Sequence, residues 1–120
     1  MSLKVLVIDD SQVDRDNLKG ILATKGYAVV TANDGEEGVQ VAASEGPDLI
    51  FCDVVMPKKD GFQTCRLLKK HAETKDIPVV LVTSKDEKAD IVMGQLQGAE
   101  GHIGKPYTED DILNVVSKYG

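Results

Sequence analysis

The chain has 120 residues, 42% of them hydrophobic, and a formal net charge of −6. That length fits one domain, expected to span residues 1–120 with no output domain, and allows a core that needs no disulfide or metal staple. The acid excess argues against nucleic-acid binding, and no apolar run is long enough for a membrane-spanning helix.

Taken in chain order, short β-branched apolar runs alternate with longer segments of helical spacing. The amino terminus enters the first run directly, without the apolar stretch and small-residue cleavage site of a signal peptide. That run, Lys4–Ile8, is almost wholly apolar, as a strand buried on both faces of a parallel sheet should be. Ser11 and Asp14 then have capping-box spacing, and Val13, Leu18, Ile21 and Leu22 mark one helical face that Gly26 ends. A second strand, Ala28–Ala32, precedes a helix from about Glu36 to Glu45 that is expected to bury Val39, Ala42 and Ala43. Gly46-Pro47 stops it.

The third strand, Leu49–Cys52, leads to Asp53, and a third helix begins near Phe62 with Cys65 and Leu68 in helical register. The fourth strand, Val79–Val82, ends in Thr83-Ser84. A fourth helix over about Lys88 to Gln97 carries Ile91, Val92 and Leu96, with Gly94 as a mild penalty. A weak fifth strand, Gly101–Ile103, is followed by Lys105-Pro106. The last helix opens at Thr108, with Asp111 three residues on, and presents Ile112, Val115, Val116 and Tyr119. Five strands alternating with five helices predict a doubly wound α/β domain with right-handed crossovers.

Cys52 and Cys65 form neither a C-x-x-C pair nor a zinc spacing, and read as buried thiols of a cytoplasmic protein. His71 reads as a surface residue without a metal partner, and Lys58-Lys59 and Lys69-Lys70 as solvated pairs.

The informative polar residues stand at strand ends: Asp9-Asp10, Asp53, Thr83-Ser84 and Lys105. Singly, each has a plain explanation, since Asp and Thr cap helices and lysines lie on surfaces. Together they share the carboxyl edge of a parallel sheet, where open α/β sheets bind ligands. If the strand order is 2-1-3-4-5, the crevice between strands one and three is lined by Asp9, Asp10 and Asp53. Carboxylates so close need a cation or raised pKa values, and Mg²⁺ suits such a set with water completing its shell. A carboxylate is also a nucleophile toward phosphorus. Asp53, alone at its strand end, fits that role, with Asp9 and Asp10 as metal ligands. Lys105 and the Thr83 hydroxyl would support the phosphoryl group in flight.

These residues stand in motifs. Val7-Ile8-Asp9-Asp10-Ser11 is followed by Asp53-Val54-Val55-Met56-Pro57 with Asp60-Gly61. Then come Val82-Thr83-Ser84, Gly98-Ala99 and Lys105-Pro106-Tyr107. Over essentially its whole length the chain resembles the receiver domains of two-component response regulators, most closely the stand-alone receivers of chemotaxis and type IV pilus motility. The resemblance implies a flavodoxin-like sheet of order 2-1-3-4-5. It also implies Mg²⁺ held by Asp9, Asp10, Asp53 and the backbone carbonyl of Val55. Asp53 would take phosphoryl from a histidine kinase or acetyl phosphate, Thr83 would swing onto the phosphoryl group, and Lys105 would pair with it. A cis bond before Pro106 is implied as well. Output would pass to a target protein through the fourth helix, fifth strand and fifth helix.

Three positions depart from the family's commonest pattern. His102 stands where Tyr or Phe usually turns inward with the threonine. It is either an exposed residue or a pH-sensitive switch side chain. By the same resemblance, Val55 and Lys85 would flank the phosphoryl position and so bear on its lifetime. A phosphorelay intermediate, a phosphate sink and a phosphorylation-independent interaction module are the other roles for such a chain. The last typically loses an acidic residue or the lysine, and this chain keeps them. A Mg²⁺-dependent phosphatase of D-x-D design would need an acid where Val55 stands.

Overall fold

Runs of Val, Leu and Ile favour strands because branched side chains pack well on a pleated surface. The computed structural model describes residues 3–84 and 88–119. The strands are β1 (Lys4–Ile8), β2 (Ala28–Ala32), β3 (Leu49–Asp53), β4 (Val79–Thr83) and β5 (Gly101–Gly104). Between and after them lie the helices α1 (Gln12–Ala23), α2 (Gly35–Glu45), α3 (Gly61–Lys70), α4 (Lys88–Leu96) and α5 (Glu109–Ser117). Among the described residues the strands form one parallel sheet in the order β2-β1-β3-β4-β5, as the resemblance implied. The sheet likewise bears out the doubly wound α/β class. β3, β4 and β5 each run one residue further than expected. Asp53 and Thr83 are therefore held inside the hydrogen-bonded ladder, Asp53 opposite Val82 and Thr83 opposite Gly104.

The central strands are buried on both faces. On one face Leu6, Ile8, Ile50, Cys52 and Leu81 pack with Ala42 of α2 and with Cys65 and Leu68 of α3. On the other, Val5, Val7, Leu49, Phe51, Val80 and Val82 meet Leu18 and Leu22 of α1 and Ile112 and Val116 of α5. Each such side chain contributes about 1.5–3 kcal/mol relative to exposure, which makes this double layer the main stabilising feature.

Several helical faces differ from expectation. Val13 is 77% exposed. It lies about 140° around α1 from Leu18, outside the stripe that meets the sheet. In α2 the buried spacing is Gly35, Gly38 and Ala42, while Ala43 faces solvent. In α4 Val92 and Leu96 are exposed, and Gly94 is the buried residue. A Cβ at Gly94 would meet Leu81 Cδ1 at 2.8 Å, so α4 packs closely over β4 at this point and Leu81 would have to shift for a side chain there. Val92 and Leu96 are each about 160° from Gly94 and so point away. The expected penalty for a helical glycine is offset by that close approach.

The Ser11–Asp14 capping box is only half formed. Ser11 Oγ accepts from Asp14 N at 3.3 Å, but Ser11 N donates to Asp9 Oδ1 at 2.9 Å instead of to Asp14. The Asp14 carboxylate is engaged by Lys105, at 3.1 Å. Thr108 and Asp111 form the complete box.

Cys52 and Cys65 are free and buried, and burial pushes both thiols up, Cys65 to about 11. Protonated, enclosed thiols of this kind are inert. His71 is exposed at the end of α3.

Candidate phosphoryl-acceptor and metal site

The site forms because parallel strands deliver their last residues to one edge. Asp53 ends β3, and Asp9 and Asp10 follow β1, its neighbour in the sheet. One carboxylate oxygen from each of Asp9, Asp10 and Asp53 lies within 4.8 Å of the others. Asp9 and Asp53 are buried and Asp10 is exposed, so the cluster opens to solvent on one side. Asp9 is fixed locally. Its N–H donates to Ala32 O at 3.2 Å, its Oδ1 accepts from Ser11 N, and its carbonyl accepts from Arg15 at 2.7 Å.

Lys105 follows β5, and its backbone N–H donates to Thr83 O at 2.9 Å, which ties its loop to β4. The Lys105–Pro106 bond is cis, as expected. Lys105 Nζ reaches into the acid cluster at 3.1 Å from Asp14, 3.4 Å from Asp9 and 3.6 Å from Asp53. Thr83 is fully buried at the end of β4.

The charges are unbalanced. Burial, and then the neighbouring Asp9, push the Asp53 carboxyl up to about 6, against the pull of Lys105 and the Val54 N–H. Burial also raises Asp9, opposed by the Ser11 N–H and Lys105. Burial by itself would lower Lys105, but Asp53, Asp14 and Asp9 outweigh it and raise the ammonium. One lysine thus faces several acids, and a hard divalent cation with oxygen ligands fits this donor set. Val55 lies two residues past Asp53 and is 56% exposed.

β3 and α3 are joined by a short connection in which Lys58 adopts a left-handed φ of 67°, an uncommon conformation for a residue with a Cβ. Asp60 caps α3 in a full box with Gln63, a feature that D-G-x-Q spacing could have signalled. Gly61 N donates to Val54 O at 2.9 Å, so the start of α3 rests against the strand end bearing Asp53.

His102 lies in β5 on the face toward α4, opposite Leu81. It is not an exposed histidine: both ring nitrogens are buried without a hydrogen-bond partner among the described residues. Lys85 lies outside the described residues. The ion pair to Asp14 was not foreseen, because no local pattern signals a partner 91 residues away.

Residues 5–117 match the family described as Response regulator receiver domain. Protein PilH of Pseudomonas aeruginosa is 40% identical over 114 residues, spanning 95% of this chain and 94% of PilH. Protein PilG of the same organism is 36% identical over 117 residues, 98% of this chain and 87% of PilG. The solved chemotaxis protein CheY4 of Vibrio cholerae superposes with a TM-score of 0.94 at 29% identity, covering 100% of both chains. A CheX–CheY complex with BeF3 and Mg²⁺ from Borrelia burgdorferi gives a TM-score of 0.91 at 26% identity, covering 97% of this chain and 87% of that one.

Proposed function

We propose, from the premise that the chain belongs to the response-regulator receiver family, that Asp53 is its phosphoacceptor. In the same reading Asp9, Asp10, Asp53 and the backbone carbonyl of Val55 hold Mg²⁺. The protein is a phosphoaccepting receiver of two-component, phosphorelay signalling, a signalling protein rather than a member of a classical enzyme family. Receivers take phosphoryl from histidine kinases and act through contacts with other proteins. The observation that carries the assignment is the convergence of three strand-end carboxylates with Lys105 at one buried edge.

Each side chain then has a task. An Asp53 oxygen attacks phosphorus and forms the O–P bond, while the bond from phosphorus to the donor breaks and its electron pair leaves with the donor. Mg²⁺ held by Asp9, Asp10, Asp53 and the Val55 carbonyl would supply Lewis-acid neutralisation of negative charge there. Lys105 adds a fixed positive charge and transfers no proton, and Thr83 donates its hydroxyl to the phosphoryl group.

Incubation with Mg²⁺ and acetyl phosphate, followed by intact-mass measurement, tests the reading. The parent should gain one phosphoryl group and Asp53→Asn none. A parent that stays unmodified by both acetyl phosphate and kinase, with its fold intact, would falsify it and favour a phosphorylation-independent module.

The output reading extends the same logic. His102 and the α4–β5–α5 face carry the signal to a target protein. This is supported by the His102 ring, whose nitrogens have no hydrogen-bond partner among the described residues, and by the exposed Val92, Met93 and Leu96 on α4. Similarity to PilH, PilG and CheY4 favours a pilus or chemotaxis pathway. A cytoplasmic location is supported by the free, buried thiols; among the described residues no helix is long and apolar enough to cross a membrane.

A further inference from the structure

We propose that Asp14 is a positioning residue that holds the Lys105 ammonium off the phosphoacceptor, so that phosphoryl transfer must first release Lys105 from Asp14. The inference rests on the reading of Asp53 as acceptor and adds to it a control on the lysine.

Three observations carry it. First, of the three acids around Lys105 Nζ, Asp14 is the nearest at 3.1 Å, and Asp53, the group the lysine is to serve, is the farthest at 3.6 Å. Second, Asp14 forgoes the local bond its position invites. It sits three residues after the Ser11 cap, yet its carboxylate leaves the Ser11 N–H to Asp9 and goes to Lys105 instead. Third, the pair stands beside open space. Among the described residues a cavity of about 440 Å³ is lined by Asp14, Asn17, Ser84, Lys105, Pro106 and Tyr107, so the ion pair is not locked in by packing from that side.

The Asp14 side chain is 44% exposed, so its hold on the lysine is screened and reversible. A phosphoryl group approaching Asp53 brings a larger negative charge to the far side of the ammonium, and Lys105 leaves Asp14 for the end of β3 to meet it before the transfer is complete. No bond to Asp14 forms or breaks beyond the ion pair. The covalent change is confined to the new O–P bond at Asp53 and the bond lost to acetate.

The test is a double-mutant cycle on the full chain, read as the initial rate of mass gain with Mg²⁺ and acetyl phosphate. Asp14→Asn should phosphorylate about two- to fivefold faster than the parent, the worth of a partly exposed ion pair. Asp14→Glu, which restores the charge, should return the rate toward the parent's. In a Lys105→Ala background the Asp14→Asn change should have no effect, because there is no ammonium left to release. An Asp14→Asn rate at or below the parent's overturns the inference. So does an equal acceleration with Lys105 absent, which would assign the effect to bulk charge. Asp14→Ser serves as a second neutral variant if Asp14→Asn fails to fold. A parent that gains no phosphoryl mass defeats the phosphoacceptor reading itself, whereas a parent that reacts beside an unresponsive Asp14→Asn defeats only the role of Asp14.

Discussion

Asp53 carries its charge against its surroundings. Its carboxyl is raised from an ordinary 3.8 to about 6, first by burial and then by Asp9. The folded protein therefore holds a proton at Asp53 that the unfolded chain releases, and this contribution to stability is present in full only below about pH 4. As pH rises through 6 it is lost, by at most about 3 kcal/mol for a shift of this size. Metal-free protein should thus lose stability between about pH 4 and pH 6, the interval between the two values. Asp53→Asn should flatten that slope, and Mg²⁺ should restore stability at the upper pH. Urea denaturation with and without Mg²⁺ measures all three. An identical slope in Asp53→Asn would show that Asp53 is not the group responsible. Residue identities at the site were legible because strand-end carboxylates and a lysine are rare together. The Asp14 pairing was not, since its partner is close only after the sheet has brought α1 and the β5–α5 connection together.

α3 is held to the site by backbone contact. Its cap Asp60 and first residue Gly61 lie directly against the end of β3, where a Cβ on Gly61 would collide with the Asp53 carbonyl oxygen and come within 2.7 Å of Val54 Cα. Both neighbours are backbone, so neither can yield as a flexible side chain would. Gly61→Ala should destabilise the protein by about 1–3 kcal/mol, the usual cost of overpacking, and should slow phosphorylation by displacing Asp53. Thermal unfolding and the acetyl phosphate assay report the two effects separately. A variant with parental stability and rate would show that α3 does not fix Asp53. The strands were legible as elements because β1 and β4 are unbroken apolar runs. The buried face of α4 was not, because its large apolar residues, Val92 and Leu96, point outward while Gly94 makes the contact. A glycine leaves no trace in a hydrophobic pattern.

Across the whole molecule, the acid cluster and the α4–β5–α5 face are linked by short steps. Lys105 N is bonded to Thr83 O, Thr83 pairs with Gly104 in the sheet, and His102 stands two residues before Gly104. Phosphorylation should therefore shift amide and ring resonances along β5 and α4, with the His102 ring signals among those that move most. Heteronuclear spectra of the parent before and after acetyl phosphate, with Mg²⁺ present, provide the comparison. If the His102 ring signals stay fixed while α4 and β5 respond, His102 is not part of the switch. The overall topology was legible from the alternation of strands and helices together with the motif set. The edges were less so, since β5 is short and its polarity is that of a border strand.

The strand order β2-β1-β3-β4-β5 has a consequence for biosynthesis. As the chain emerges, β2 joins one border of β1 and β3 the other, and β4 and β5 are then laid successively outside β3. No strand has to be inserted between two already joined. The nascent protein can therefore build its sheet outward in the order in which it is made. Lys105 comes after the last strand to dock. A ribosome-bound fragment already carries Asp9, Asp10 and Asp53, yet lacks the cation that completes them. On the proposed reading of Lys105, phosphoryl acceptance would in this way be deferred until the final border of the sheet is in place.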